Sequence, residues 1–388
     1  MKSVIKYTLD KCHRCMKCVQ ACPSDALSMQ DNKVVINASE CINCGKCIKA
    51  CHNQGLTYLA SSIDHIKDYD YTIVLVPSAL VAHADTSNSV ASLFSALKRL
   101  GFDEAYSLSD VEAGLFQKER EYSNELKISS FCPLVNNLVK KKYPALKDNL
   151  LPYDYPSEIA AKHFRKQYKG IKLGIFNLCE CEAKLELAKY PHNNMEYEVD
   201  HAISIVDIFP KINDALQETD ELIDFNINGL LLTCPRAITE DDLIMAENGF
   251  DNINNILDMT EFGLLNDFKL LRLYPCFSGC VGGSLVWGNG YIAKRVVLKI
   301  KNYQDSEKIT IPDDELLITR NEDNEIDQRT FKEKLAYFNS INAIFEKLPG
   351  YDCTACGLAG CRVMAEEIVK GNKTIQDCKI LVKEGDKQ

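Results

Sequence analysis

The sequence predicts a multidomain protein with a small α+β module, a central α/β domain of two lobes and a small helical C-terminal module. Two closely spaced cysteine runs fill the stretch from Cys12 to Cys51. From about Asp68, strand-like and helix-like patterns alternate, which is typical of α/β domains. Four further cysteines lie in the C-terminal part, of which Cys353 is the first and Cys378 the last. We expect domains at residues 1–62, 68–330 and 335–388.

Length and composition limit the classes of protein to consider. A chain of 388 residues is long enough for two or three domains. No run of about 18 apolar residues occurs, so we expect no transmembrane helix. The chain enters a cysteine run almost at once, which leaves no room for a signal peptide and favours the cytoplasm. The net charge of -10 disfavours nucleic acid or an anionic membrane as a partner.

Cysteine is the unusual residue, with 18 copies that cluster along the chain. Disulfide-rich proteins are mostly small and secreted, whereas clustered thiols in a reducing compartment more often bind metal. Free cysteines also pack as small apolar residues, but this explains only one or two of them.

The first two cysteine runs form an internal repeat. Each has the spacing Cys-x2-Cys-x2-Cys-x3-Cys, which is typical of bacterial ferredoxins with two 4Fe-4S clusters. The fourth cysteine of each run binds the other cluster in such proteins. One cluster is therefore assigned to Cys12, Cys15, Cys18 and Cys51, and the other to Cys41, Cys44, Cys47 and Cys22. A zinc ribbon is the alternative.

The central domain has patterns of buried strands and amphipathic helices. "YTIVLVPSALVA" predicts a strand that ends in a turn at Pro77, and "VASLFSALKRLGF" predicts a helix that ends at Gly101. The apolar runs "LKISSF", "IKLGIFNL", "INGLLLT" and "FKLLRLY" predict further strands, whereas "EDDLIMAENGF" predicts a helix. Parallel sheets bind ligands beyond the carboxyl ends of their strands. Three of these runs are followed by Cys132, Cys181 and Cys276.

The C-terminal part contains a connector and a third type of cysteine motif. "IPDDELLITRNEDNEID" predicts a solvated connector. The spacing Cys353-x2-Cys356-Gly-x3-Cys361-x16-Cys378 favours another 4Fe-4S cluster, with zinc as the alternative. "RVMAEEIVKG" predicts a helix that ends at Gly371.

Four cysteines of the central domain are candidates for one further cluster: Cys132, Cys181, Cys276 and Cys280. Gly279, Gly282 and Gly283 surround the last of them, and glycine lets backbone approach a ligand closely. Cys234, in "LLLTCPRA", is expected to be a plain buried thiol.

The loops "SSFCP", "CECEAK" and "CFSGCVGG" resemble the three active-site signatures of iron-only (FeFe) hydrogenases. The resemblance covers residues from about 68 to 300, and "VPSALVA" and "LGFDEAY" support its register. The two-cluster ferredoxin module is the usual partner domain of this family. The C-terminal module resembles one found in sensory-type and other divergent members.

The resemblance implies an H-cluster, in which Cys132, Cys181, Cys276 and Cys280 hold a 4Fe-4S cubane. Cys280 would bridge to a diiron subcluster that carries CO, cyanide and an azadithiolate. Lys184 matches the lysine that hydrogen-bonds a cyanide, although it could be a surface residue of a helix. Ser130 and Pro133 match residues that line the diiron pocket.

The sequence departs from the family pattern along the proton path. Active members carry a cysteine that passes protons to the bridging amine, and this chain has Phe131 there, which has no exchangeable proton. Cys179 replaces a methionine and is either another proton carrier or a packing residue. Other family positions are also changed. The relay glutamates align with Gly114 and Leu115, and the relay serine aligns with Leu151 or Pro152. A further glutamate aligns with Leu187, one position after Glu186, while Tyr274 replaces a methionine and Arg272 replaces a glutamate.

Together these features predict a divergent FeFe-hydrogenase-like oxidoreductase of low activity. It would sense H2, or slowly and reversibly oxidise H2 and reduce protons, under anaerobic conditions. Electrons would pass through the 4Fe-4S clusters to ferredoxin or another redox partner. Signalling would need a separate protein, because no PAS-type or kinase module is visible. The alternative is a non-catalytic electron-transfer or cluster-assembly protein that lacks the diiron unit, which Phe131 favours and Cys280 and Lys184 disfavour.

Overall fold

A computed structural model describes residues 3–84, 87–219, 225–235, 241–300, 311–319 and 330–381. The chain divides into two compact units. The first joins Met1–Tyr58 to Asn321–Gln388, and the second is Leu59–Arg320. Within the described segments, no helix has both the length and the apolar character that crossing a bilayer requires.

The N-terminal part of the first unit is built from two short strand pairs and two short helices. Strands β1 (Ile5–Tyr7) and β4 (Leu56–Tyr58) are antiparallel, as are β2 (Leu27–Gln30) and β3 (Lys33–Ile36). Helices α1 and α2 each follow a residue in the left-handed region, where φ is 65° and 71°. These sharp turns lie between the second and third cysteines of each run, and the helices span Lys17–Gln20 and Lys46–Ala50.

The second unit contains two parallel sheets. The larger has the strand order β6-β5-β8-β9, and the smaller has the order β10-β11-β7. Every residue of β8 is buried, as expected for a parallel sheet covered on both faces. The strands are β5 (Tyr71–Val76), β6 (Glu104–Ser107), β7 (Lys127–Ile128), β8 (Leu173–Cys179), β9 (His201–Ser204), β10 (Ile244–Asn248) and β11 (Leu270–Tyr274). The predicted two-lobed α/β architecture is confirmed.

Helices connect and cover these strands. One apolar core packs α4 and α9 against the larger sheet, with Phe94 and Phe176 fully buried in it. The predicted buried thiol Cys234 belongs to the same core. The helices are α3 (Ser78–Val81), α4 (Ser87–Arg99), α5 (Ser109–Glu121), α6 (Pro133–Lys142), α7 (Pro156–Gln167), α8 (Glu182–Leu185), α9 (Ile205–Ala215), α10 (Ile227–Leu231), α11 (Phe250–Glu261), α12 (Gly290–Ile300) and α13 (Asp313–Leu316).

The strand expected at "INGLLLT" is wrong, because this segment forms helix α10. The Asn226 side chain caps the helix by accepting hydrogen bonds from the backbone N–H groups of Asn228 and Gly229. A Cβ atom at Gly229 would lie 1.9 Å from the carbonyl oxygen of Ser109, so glycine lets α10 pack directly on α5. Local capping and close packing therefore override the apolar run.

The helix expected at "EDDLIMAENGF" is also wrong in its described part. Ile244–Asn248 forms edge strand β10, which pairs in parallel with β11 from Ile244 opposite Leu270 onward. The helix α11 begins only after Gly249, whose φ of 92° suits glycine. Pairing with a neighbouring strand decides this segment, and sequence periodicity does not show such pairing.

The solvated connector expected at "IPDDELLITRNEDNEID" is wrong for its described part, residues 311–319. Glu315 and Leu316 are buried there, and the backbone N–H of Asp154 donates to the carbonyl of Leu316. Lys166 on α7 forms an ion pair with Glu315 at 3.2 Å. Glu315 thus binds α7, whereas Asp313 and Asp314 are exposed and pair with Lys118 on α5 and Lys166 on α7. Residues 320–327 lie outside the described residues.

The C-terminal part of the first unit contains helices α14 (Phe331–Phe345) and α15 (Cys361–Val369). Thr330 and Glu333 form a capping box at the start of α14. The helix predicted at "RVMAEEIVKG" is confirmed as α15, and Gly371 follows its last turn with φ of 81°. The two helices pack together around Ile341, Met364 and Ala365.

Candidate functional site

Cysteines from both sheets of the second unit meet at the carboxyl ends of their strands. Cys132 follows β7 and caps α6, Cys181 follows β8 and caps α8, and Cys276 follows β11. Cys280 opens a short 3-10 turn four residues later. Burial raises the pKa of Cys280, and the neighbouring thiolates of Cys132 and Cys276 raise it further. Cys181 is affected by the same two neighbours, so the structure brings all four thiols together.

These four thiols suit an iron–sulfur cluster by their chemistry. They lie deep in the unit, yet protein atoms cover each of them only in part. Burial raises each pKa, so the thiolate form needs a cationic partner such as iron.

The three glycines close the ligand loops against one another. A Cβ atom at Gly283 would lie 2.3 Å from the carbonyl oxygen of Glu180, beside Cys181. At Gly279, where φ is 85°, it would lie 2.3 Å from the carbonyl oxygen of Thr233. At Gly282 it would lie 1.8 Å from the carbonyl oxygen of Phe277. The missing side chains therefore make room for backbone, which fixes Cys280 next to Cys181.

Lys184 is mostly buried and has an anionic protein partner. Its Nζ lies 2.6 Å from Oε1 of Glu180, with side-chain exposures of 11% and 2%. Burial would lower the pKa of Lys184, but the charges of Glu180 and Cys280 outweigh burial and raise it. Lys184 is thus a charged group at the site and not a surface residue.

Some buried side-chain oxygens lack a hydrogen-bond partner among the described residues, and two of them belong to Glu112 and Glu180, the charged neighbours of Lys184. Among them are Oγ of Ser78, Oε2 of Glu112, Oδ1 of Asn177 and Oε2 of Glu180. Ser78 and Cys181 follow the neighbouring parallel strands β5 and β8, so they share one sheet edge. Unpaired buried polar atoms are costly, so this pocket suits a polar ligand. Lys184, as a charged donor, fits a group with anionic ligands such as cyanide, whereas the unpaired carboxylate and amide oxygens accept hydrogen bonds and need a donor instead.

Phe131 lies against a buried ion pair. The guanidinium of Arg272 stacks 4.1 Å from the centroid of the Phe131 ring, and its Nη1 lies 2.5 Å from Oε2 of Glu119. Its Nε donates to the hydroxyl of Tyr274 at 2.8 Å, and that hydroxyl donates to the carbonyl of Leu232 at 2.7 Å. Burial would lower the pKa of Arg272, but Tyr274 and Glu119 raise it, so the guanidinium stays charged.

The remaining predicted pocket residues are also held in place. Ser130 is buried and its hydroxyl donates to the carbonyl of Tyr153 at 2.7 Å. Pro133 begins α6, where its fixed φ suits the first turn. The thiol of Cys179 is fully buried, donates to the carbonyl of Asn177 at 3.6 Å, and has a pKa raised by burial and by Glu180.

The sequence interpretation missed two buried carboxylates on α5. It placed the relay positions at Gly114 and Leu115, which are buried on the same helix and cannot carry protons. Glu112 and Glu119 are the acidic residues on that buried face. Burial raises the pKa of Glu112 to about 7, although Lys184 acts to lower it. Their spacing of seven residues, two helical turns, was the available signal.

The first unit brings the ferredoxin-type cysteines together across the two runs. Burial raises the pKa of Cys18 to about 11, and Cys51, Cys12 and Cys15 raise it further as neighbours. Burial likewise raises the pKa of Cys44 to about 12, with Cys22 and Cys41 as its neighbours. Cys47 lies beside Cys44, Cys41 and Cys22. Each group thus contains the fourth cysteine of the other run.

The four C-terminal cysteines also lie near one another. Cys361 and Cys378 are buried in the core of α14 and α15, and Cys356 packs against it. Burial raises the pKa of Cys356, and Cys353 and Cys378 raise it further. Cys353 is exposed. Among the described residues, no three His, Cys, Asp or Glu side chains are placed to hold a single metal ion.

Three stretches of the chain match models of known protein families. Residues 4–52 match the model "4Fe-4S dicluster domain", and residues 348–380 match "Putative Fe-S cluster". Residues 71–232 match "Iron only hydrogenase large subunit, C-terminal domain". Over residues 71–232 the chain is therefore similar to the iron-only hydrogenase large subunit. The matched residues include Cys132, Cys181 and Lys184, and end before Cys276.

Solved [FeFe]-hydrogenase structures are similar to part of this chain at low identity. A variant of the enzyme from Chlamydomonas reinhardtii is 14% identical, with a TM-score of 0.46, over 65% of this chain and 88% of that chain. A structure that describes stepwise H-cluster assembly is 15% identical, with a TM-score of 0.44, over the same shares. A search of curated proteins gave no match.

Proposed function

We propose that this chain is an iron–sulfur redox protein whose hydrogenase domain binds an H-cluster and reacts with H2 slowly, as a sensor or a slow reversible enzyme. The observation that carries the proposal is the convergence of Cys132, Cys181, Cys276 and Cys280 beside buried Lys184. When bound, the diiron unit would supply the site of H2 cleavage and formation. Electrons would move through 4Fe-4S clusters in the first unit to ferredoxin or another redox partner.

The slow rate follows from what surrounds the proton-relay position. Phe131 offers no proton, and Glu119 is committed to Arg272 and to the hydroxyl of Ser129. The hydroxyl of Ser130 is committed to a backbone carbonyl. Protein groups therefore fill this part of the usual path without offering a free acid, and Glu112 is left as the buried acid of α5 that Arg272 does not bind. A path with so few acids suits sensing better than rapid turnover.

Infrared spectroscopy of protein matured by hydrogenase maturation proteins tests the proposal. We expect bands from iron-bound CO and cyanide, and we expect Cys280→Ala to remove them. A matured protein with a full complement of 4Fe-4S clusters and no such bands would rule out the diiron unit.

One observation favours a second function, a non-catalytic electron-transfer or cluster-assembly protein. Glu180 already neutralises Lys184 at 2.6 Å, so the lysine has an anionic partner without a cyanide. Glu180 is also the residue whose backbone carbonyl lies against Gly283. Absence of the infrared bands together with intact cubane clusters would select this second function.

Glu112 is the group that we expect to deliver protons if the diiron unit is present. Its carboxyl is buried, one oxygen has no described partner, and burial raises its pKa to about 7. A protonated carboxyl supplies protons and a carboxylate cannot, so H2 production should fall as the pH rises through about 7. Glu112→Gln should lower H2 production at least roughly tenfold, as expected for loss of a general acid, and abolish this pH dependence.

Exposed Glu121 on the same helix provides the control, and Glu121→Gln should change neither the rate nor its pH profile. Both variants should have the same infrared bands as the unmodified protein. An unchanged pH profile in Glu112→Gln would show that protons take another route, such as one through Cys179.

The first unit is proposed to hold three 4Fe-4S clusters, which with the cubane of the hydrogenase domain makes four. Cys356→Ala should remove one cluster and leave the other three, because the four cysteine groups do not share ligands. Iron and sulfide analysis of anaerobically reconstituted protein should show a loss of about four iron atoms per chain. Zinc in place of this iron would identify the C-terminal site as a zinc site.

A further inference from the structure

The C-terminal cysteine motif touches the binding site of one ferredoxin-type cluster. The backbone N–H of Met29 donates to the carbonyl oxygen of Gly357 at 2.7 Å. Gly357 directly follows Cys356, and Met29 belongs to strand β2. The contact thus joins two parts of the first unit that are far apart in sequence.

Met29 also belongs to the pocket of that ferredoxin-type site. The pocket is lined by Met29 and by the first group of cysteines, Cys12, Cys15, Cys18 and Cys51. Met29 therefore hydrogen-bonds to the backbone next to Cys356 and also lines the pocket of this ferredoxin-type site. The second group of ferredoxin-type cysteines does not line this pocket.

Gly357 makes this contact as close as backbone allows. Its φ is 88°, and a Cβ atom there would lie 2.4 Å from the carbonyl oxygen of Met29. Any other residue would push the Cys356 loop away from β2. Because electron tunnelling weakens steeply with distance, such an approach between two cluster sites favours transfer.

We propose that the Gly357–Met29 contact is an electron path between the C-terminal cluster and the ferredoxin-type cluster of Cys12, Cys15, Cys18 and Cys51. In each step the reduced C-terminal cluster loses one electron and the oxidised ferredoxin-type cluster gains it, and no atom is transferred. A low-potential one-electron donor would reduce the C-terminal cluster at the exposed Cys353 side. The path rests on the proposed cluster loading and is independent of the diiron unit.

Electron paramagnetic resonance of the dithionite-reduced protein tests the path. Two paramagnetic clusters close enough to exchange electrons also interact magnetically, which broadens their signals and speeds their relaxation. We expect this interaction in the unmodified protein. Cys356→Ala should abolish it, leaving slower relaxation of the ferredoxin-type cluster and about four fewer iron atoms per chain.

Gly357→Ala should weaken the interaction at unchanged iron content. Gly371→Ala is the matched control, because its φ of 81° imposes similar strain but its Cβ would meet no atom within 4 Å. The control should keep the full interaction. The proposal is overturned if Gly357→Ala keeps the interaction at full iron content, or if Cys356→Ala leaves the relaxation of the ferredoxin-type cluster unchanged.

These outcomes are separate from the failure of the proposed function. Iron analysis reports whether the clusters are loaded, and infrared spectroscopy reports on the diiron unit. If Gly357→Ala loses iron, the comparison of Cys356→Ala with the unmodified protein still decides whether the two clusters interact.

Discussion

Replacing Arg272 with methionine is expected to destabilise the hydrogenase domain by about 3–5 kcal/mol, the usual cost of leaving one partner of a buried ion pair uncompensated. The side chains of Arg272 and Glu119 are 2% and 0% exposed, and 2.5 Å separates Nη1 from Oε2. Without the guanidinium, the Glu119 carboxylate keeps only the hydroxyl of Ser129 as a hydrogen-bond partner among the described residues. Thermal unfolding followed by circular dichroism should show a midpoint lower by roughly 10 °C.

The double variant Arg272→Met/Glu119→Leu should regain most of this stability, because apolar residues can replace a buried ion pair without loss. Arg120→Met is the control, because Arg120 lies next to Glu119 on α5. Its ion pair with Asp241 is largely exposed, and such pairs contribute about 1 kcal/mol or less. A double variant as unstable as Arg272→Met would show that the loss comes from packing against Phe131 rather than from the unpaired carboxylate.

Replacing Phe131 with cysteine is expected to raise H2 activity in matured protein. The thiol would place an exchangeable proton at the position where active hydrogenases carry one. We expect a gain of roughly tenfold, below the roughly 100-fold or more of a complete general acid, because Glu119 remains bound to Arg272. H2 production should be compared at equal diiron occupancy, measured from the infrared bands.

Phe131→Ala provides the matched control for this gain. Phe131 is buried between Arg272 and Tyr274, whose ring centroid lies 4.9 Å away, so both variants open a cavity beside the ion pair. Only the cysteine variant adds an acid. Equal activity in the two variants would attribute any gain to water entering the cavity, and no gain in either would exclude proton delivery at this position.

The ferredoxin-type module could be predicted from the sequence because its cysteines are closely spaced. Cys12, Cys15 and Cys18 lie within one loop and the start of α1, so their spacing reports their geometry directly. The strand ends that place Cys181 and Cys276 were also predictable, because "IKLGIFNL" and "FKLLRLY" are buried apolar runs. Helix α15 was predictable for a similar reason.

Features that depend on tertiary contacts could not be predicted from the sequence. "INGLLLT" forms a helix because Asn226 caps it and Gly229 fits against Ser109, and "EDDLIMAENGF" contains a strand because it pairs with β11. From the sequence alone, Arg272 was only a position where the family's glutamate is replaced. Its partner Glu119 lies on a distant helix, and only the fold brings the two charges together.

The first unit is built from two segments that are far apart in the sequence, and this has a consequence for biosynthesis. Ribosomes make β2 early, whereas the loop that accepts the hydrogen bond of Met29 emerges only after the whole hydrogenase domain. During translation the outer edge of the β2–β3 hairpin is therefore uncovered, although the ferredoxin-type cysteines on either side of it in the sequence are already available for iron. Release of the C-terminal residues closes this edge. We expect nascent chains arrested before Gly357 to be more sensitive to proteolysis near Met29 than the finished protein.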